Sequence, residues 1–362
     1  MDNVTLQRVI GGKPTYRRDH RKADGRMLHL YGNAPHNLPV QSEDSDPIAQ
    51  GGELRRHPLR QEWNVYAAHR QNRTFKPSAA DDPLAPTTKG GPQTEIPFAD
   101  FEVAIFENKF AAFHPSAANA AKLAGIESEP AVGACDVVVY APDADGSLHS
   151  LGQDRRETLV AAILDRYATH FAAGCEYVLP FENRGDEVGV TLHHPHGQIY
   201  AFNRVPEIQQ RAIDAFAGGY NLASEIATSM PEYGLGESGG VAAFVPRFAR
   251  FPFETWIAPV QPRAGPWDCT DAELSGLAYW LGEMTRRYDA LFEQPAATML
   301  AFHAAPRSGC DGYHFTVQFY PLLRAPGRVK YLASVEQHTG VFTVDVMPEN
   351  AVDALRKQAR NG

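Results

Sequence analysis

The sequence predicts an α+β protein built from one unit used twice, a helix followed by two antiparallel strands. Three observations carry the prediction. An apolar stripe with the 3.6-residue period runs through Leu159, Val160, Ile163, Leu164, Tyr167 and Phe171, and a second runs through Leu274, Leu277, Leu281, Met284, Tyr288 and Leu291. Each stripe is followed by two short runs rich in β-branched and aromatic residues, as strands are. HFTVQFYP then stands in the second copy where HHPHGQIY stands in the first.

Taken in order, residues 1–50 mix Gly, Pro, Asp and His without sustained periodicity and predict an irregular arm. Residues 51–215 form the first unit. It contains RRHPLRQEWNVYAAHRQNR (55–73), a Pro- and Gly-rich surface excursion at 76–97, and the strand FEVAIFENKF. The strand CDVVVYAP, the first helix and the strands EYVLPFEN and VGVTLHHPHGQIYAF complete it. Residues 216–362 form the second unit, whose helix opens on Thr270 and Glu273 at capping-box spacing and leads into TMLAFHAA and YHFTVQFYPLL.

Composition narrows the function classes. With 43% hydrophobic and 21% charged residues, the 362-residue chain has the balance of an ordinary globular protein. A net charge of −9 argues against a general nucleic-acid surface, which needs a basic face, so an anionic ligand has to be gripped locally. The four cysteines lie far apart, without the spacing of a zinc or redox pair. No run approaches the roughly 20 apolar residues of a membrane span, and the start of the chain has no apolar signal core. A cytoplasmic, membrane-free protein is expected.

The chemistry concentrates in His194, Pro195, His196, Gly197 and Gln198. On an extended strand, residues two apart share a face, so His194, His196 and Gln198 are expected to point the same way. Pro195 holds His194 extended and removes a ladder donor, and Gly197 would let a ligand come close to the backbone. Neutral imidazole attacks phosphorus without a base to activate it, provided the correct ring nitrogen holds the lone pair, and a backbone carbonyl can ensure that. Two histidines at this spacing are more often metal ligands than nucleophiles, but nothing in core packing calls for the proline, glycine and glutamine as well.

FENRGDEVGVTLHHPHGQIYAF (181–202) resembles the active-site strand pair of galactose 1-phosphate uridylyltransferases, a branch of the histidine-triad superfamily. The resemblance runs from residues 55–73 through IFENKF to VKYLASVE (329–336), and it implies duplicated histidine-triad-like units with antiparallel sheets flanked by helices. By that resemblance His196 is the nucleophile and His194 supports it. Gln198 stands where related hydrolases have a third histidine; an amide holds phosphate oxygens but moves no proton, which favours transfer over hydrolysis. The resemblance further implies that Arg70 and Arg73 contact phosphates, and that Asn183 and Thr191 lie near the transferred group. It places Phe106 and Asn108 on a uridine-binding strand, sends Lys330 and Tyr331 across to the ligand, and gives Glu336 the sugar hydroxyls. Taken singly, each has an ordinary reading as a solvated charge, a turn cap or a sheet residue.

Many relatives hold zinc on two cysteines and two histidines. The matching positions here are Asp82, Ala85, Ala144 and His194, and a second metal site retains His303 but has Thr316 and Gln318 in place of histidines. Alanine has no lone pair, so both sites are expected to be lost, with no metal or other cofactor, and His303 to pack or to hydrogen-bond across the sheet. The expected activity is exchange of UMP between UDP-glucose and galactose 1-phosphate through a uridylyl-histidine. Alternatives are transfer to another sugar 1-phosphate, with a nucleoside triphosphate as donor, noncatalytic nucleotide-sugar binding, or hydrolysis. Family resemblance implies a homodimer.

Overall fold

The computed structural model describes residues 3–41, 43, 48, 51–72, 76–78 and 81–359. Residues 3–32, expected to be irregular, instead form three strands: β1 (Asn3–Ile10), β2 (Lys13–Arg21) and β3 (Met27–Gly32). Gly11 and Gly12, at φ of 62° and 75°, supply the tight turn between β1 and β2. Alternation was hidden because β2 is rich in charge, and those charges are paired. Arg17 bonds Asp165 at 2.9 Å, Asp19 bonds His29 at 2.6 Å, and the Tyr31 hydroxyl donates to Asp165 at 2.7 Å.

The chain continues through β4 (Glu53–Arg56) and β5 (Trp63–Tyr66), then β6 (Val103–Glu107), β7 (Ser128–Pro130) and β8 (Gly133–Val139). Helix α1 (Gly152–Ala172) follows, then β9 (Tyr177–Arg184) and β10 (His196–Phe202). Helices α2 (Glu207–Ala217) and α3 (Leu222–Tyr233) lead to β11 (Gly234–Ser238), β12 (Val241–Phe244) and β13 (Thr255–Pro259). Helix α4 (Asp271–Phe292) precedes β14 (Thr298–His303), β15 (Thr316–Pro321) and the small pair β16 (Leu323–Ala325) and β17 (Arg328–Val329). Two helices, α5 (Ser334–Thr339) and α6 (Pro348–Ala359), end the described chain. The capping box of α4 is present as read: Thr270 accepts from the Glu273 amide and Glu273 from the Thr270 amide.

Among the described residues twelve strands make one sheet in the order β1-β2-β3-β6-β8-β10-β9-β14-β15-β13-β12-β11, and every pairing in it is antiparallel. About the β9–β14 pairing the order is palindromic: β10 answers β15, β8 answers β13, and β6 answers β12. The repeat read from the two helical stripes is therefore a repeat in space. Helices α1 and α4 cover one face together, burying Ile199, Ala201, Leu300, Phe302, Val317 and Phe319 with their own stripes. On β10 the alternation sends Ile199 and Ala201 into that core, and His196, Gln198, Tyr200 and Phe202 to the opposite face. Among the described residues no helix is long and apolar enough to cross a membrane.

Candidate active site

Strand β10 begins at His196, so His194 lies in the bend before it and not on the strand. The period of two therefore does not set the His194 ring, whose partners do: the Asp82 segment that it meets packs through Leu84 on Val137 and Val139, the neighbours of Gln198 and His196 on the open face. His194 is 1% exposed, with Nδ1 2.6 Å from Asp82 Oδ2 and Nε2 2.8 Å from the Ala141 carbonyl. His196 is half-buried, with Nδ1 2.8 Å from the carbonyl oxygen of His194. A carbonyl only accepts, so Nδ1 carries the proton and the neutral ring holds its lone pair on Nε2, which bonds no described residue. Gln198 stands two residues on, on the same face, and its amide also bonds no described residue.

Gly197 serves a different neighbour from the one expected. A Cβ there would lie 2.5 Å from the Tyr140 hydroxyl and 3.0 Å from the Phe181 carbonyl, so the glycine makes room for protein on the helix-covered face, not for a ligand. Tyr140 donates at 3.0 Å to Glu182, which is 7% exposed. Burial pushes the Glu182 carboxyl up to about 7 from its ordinary 4.5. Between these values the folded protein holds the proton more tightly than the unfolded chain, so this group's contribution to stability falls as pH rises from 4.5 through 7. Glu182→Gln is accordingly expected to stabilise the protein at pH 8 by on the order of 3 kcal/mol and to do little at pH 4.5, as read by urea melts at the two pH values.

The remaining residues divide. Gln198 faces Phe181 across β9 and β10, and continuing that register by two residues sets Asn183 beside His196 on the open face. Thr191 stands at the head of the histidine loop, where its carbonyl accepts from the Lys76 amide at 2.8 Å. Asn108 caps the turn after β6, accepting from the Phe110 amide, and Arg70 donates to the Phe110 carbonyl at 2.9 Å. Arg73 lies outside the described residues. Phe106 is 2% exposed inside an apolar cluster with Leu28 and Val137, so its ring offers no face to a ligand. Lys330 and Glu336 pair with each other at 2.6 Å, both buried, and Glu336 also accepts from Thr343. These bonds hold the Glu336 carboxylate down at about 2. Among the described residues neither side chain bonds the histidine loop, whereas Tyr331 between them is 75% exposed.

The chain is 33% identical over 319 residues to a galactose-1-phosphate uridylyltransferase of Thermotoga maritima, a match covering 84% of this chain and 98% of that protein. The chain belongs to the galactose-1-phosphate uridylyltransferase family. Residues 42–206 match the family model for the galactose-1-phosphate uridyl transferase N-terminal domain. The Streptomyces lividans galactose-1-phosphate uridylyltransferase is 30% identical over 362 residues, covering 94% of this chain and 97% of that protein. A solved uridylyltransferase structure superposes with a TM-score of 0.77 at 25% identity, over 85% of this chain and 99% of that one.

Within this galactose-1-phosphate uridylyltransferase family member the metal-ligand positions do not assemble a donor set. Asp82 and His194 meet but bond each other, Ala85 and Ala144 have no donor atom, and no group of three or more His, Cys, Asp or Glu side chains fit for a metal occurs among the described residues. In the second half, His303 makes no hydrogen bond across the sheet. Both its ring nitrogens are buried without a partner among the described residues, and burial lowers its pKa to about 4. It lines a pocket of about 360 Å³ with Trp256, Thr316, Gln318 and Tyr320. Sequence reading missed Tyr140 and Glu182 altogether and saw Asp82 only as a failed zinc ligand; no local pattern marks any of the three.

Proposed function

We propose that this chain moves UMP from UDP-glucose to galactose 1-phosphate in two displacements at His196. The lone pair on Nε2 attacks the α-phosphorus, the bond from that phosphorus to the bridging oxygen breaks, and glucose 1-phosphate leaves with the electron pair. Galactose 1-phosphate then attacks the same phosphorus through a phosphate oxygen, giving UDP-galactose and restoring the free ring. The observation that carries the reading is the His196 Nδ1 bond to the His194 carbonyl, which keeps the lone pair on the nitrogen facing the open side.

Charge on the nonbridging oxygens grows during attack, so neutral donors set beside Nε2 favour the transition state. Gln198 and Asn183 are the donors nearest in register, and Arg70 supplies positive charge from the 68–72 turn. Asn108, at the end of β6, fits a contact to the nucleoside; buried Phe106 then acts by shaping that strand. The Lys330–Glu336 pair stiffens the loop that presents Tyr331, which suits a loop crossing to the site of a second subunit in a homodimer. The cytoplasm is the compartment proposed.

The test is a product balance without acceptor. One equivalent of glucose 1-phosphate per chain should appear on mixing with UDP-glucose, and UDP-galactose should form only after galactose 1-phosphate is added. Continuous release of glucose 1-phosphate into water would show a hydrolase, and no release at all would show that transfer needs both substrates bound together.

The pH dependence follows from the same ring. Burial lowers the His196 pKa below the ordinary 6.5, against the opposing hydrogen bond to His194, so the ring stays neutral to more acid pH than an exposed histidine. The acid limb of kcat/KM for UDP-glucose should therefore have its midpoint below 6.5. A midpoint above that value would mean that a group other than a depressed His196 controls the step.

A further inference from the structure

The pseudo-symmetry of the sheet supplies an internal control for the histidine loop. His314 precedes β15 by two residues, as His194 precedes β10, and donates from Nε2 to the Pro259 carbonyl at 2.7 Å. His194 makes the matching contact to Ala141 at 2.8 Å, at the exit of the answering strand β8. A ring-to-carbonyl contact at this bend thus occurs in both halves, one register place apart. What differs is the second nitrogen. His194 Nδ1 has a carboxylate, Asp82, and His314 has none among the described residues; the half with the carboxylate carries His196, and the half without it carries Thr316 at that place.

We infer that Asp82 is a positioning residue for His196: it pins the His194 ring opposite Ala141, and so fixes the backbone carbonyl that holds the His196 Nδ1 proton. The inference rests on the two-step transfer proposed above. Both edges of the His194 ring are held, Nδ1 by the Asp82 carboxylate and Nε2 by the Ala141 carbonyl. A buried polar contact of this kind adds little stability, because desolvation offsets most of its attraction, and its use is in fixing geometry. Asp82 is itself held: its other oxygen accepts from the Leu84 amide at 2.9 Å, and Leu84 is 2% exposed in a cluster on which Leu192 of the histidine loop also packs. One carboxylate therefore ties the 82–84 turn, the end of β8 and the histidine loop together. Relatives are expected to do this with a metal; here a direct contact between two side chains takes that place, and we propose that no resident metal is needed.

The experiment uses the full chain as wild type, Asp82→Ala and Asp82→Asn, with two readouts. In steady-state transfer, Asp82→Ala should lower kcat by about 10²-fold, the scale of a misplaced reacting group, with KM for UDP-glucose changed far less. Asp82→Asn, which keeps the shape and loses the charge, should fall in the same direction. In histidine ¹⁵N spectra the wild type should show His196 as a single tautomer protonated at Nδ1, and the variants a mixture. If Asp82→Ala does not fold, Asp82→Asn decides by the same two readouts. Unchanged kcat together with an unchanged His196 tautomer overturns the inference, as does wild-type activity that is lost on chelation and restored by zinc. Should the wild type form no uridylyl adduct, the transfer reading fails, yet the tautomer comparison still decides the role of Asp82.

Discussion

His196→Ala is expected to abolish UMP transfer, lowering kcat by at least about 10⁴-fold, while leaving UDP-glucose binding and the folded state nearly intact. The loss is large because the covalent route needs this nitrogen, and no other described histidine stands on the open face of β10 to replace it. His194 cannot substitute. It is 1% exposed and both its nitrogens are engaged. The fold should tolerate the change because the His196 ring is half-buried and its only described bond is to its own loop, a contribution of about 1 kcal/mol. Turnover by stopped assay, nucleotide binding by calorimetry and thermal melts separate these outcomes. An alanine variant with appreciable turnover would remove His196 from the chemistry.

Gly197→Ala should be the next most damaging single change. The added methyl meets the Tyr140 hydroxyl at 2.5 Å, the Phe181 backbone carbonyl at 3.0 Å and Tyr140 Cζ at 3.3 Å, and a backbone atom cannot swing away. Overpacking of this kind costs about 1–3 kcal/mol. Strand β10 has to move to relieve it, taking His196 and Gln198 along, so kcat should fall by about 10²-fold as well. Tyr140→Phe removes the closest of these atoms. The double variant should therefore recover part of the stability lost, with a coupling of about 1 kcal/mol in a double-mutant cycle. Additive losses, or a Gly197→Ala protein as stable and active as wild type, would show that the glycine is not there to clear Tyr140.

Particular elements show why the sequence was readable in some places and not in others. Helices α1 and α4 and the strands β9, β10, β14 and β15 follow the period of their apolar residues, since each buries one face against the shared core. The α4 capping box is a local motif and formed locally. The strands β2 and β3 escaped because tertiary ion pairs, Arg17 with Asp165 and Asp19 with His29, let charges sit where the pattern requires apolar residues. His194 was read as a strand residue, but β10 starts at His196, so the period of two does not reach it. Lys330 and Glu336 close on each other, a partnership across a turn and a helix cap that residue types alone do not announce. Motif chemistry placed His196 and Gln198 on one face, but the partners that tune them, Asp82 and Tyr140, come from distant segments.

The measurement that bears most directly on the account is the mass of the chain quenched after mixing with UDP-glucose alone, followed by peptide mapping. The account predicts one uridylyl group per chain, carried on His196, released when galactose 1-phosphate is added and absent from His196→Ala. A chain that turns over while its mass never changes, or that carries the group on another residue, contradicts it.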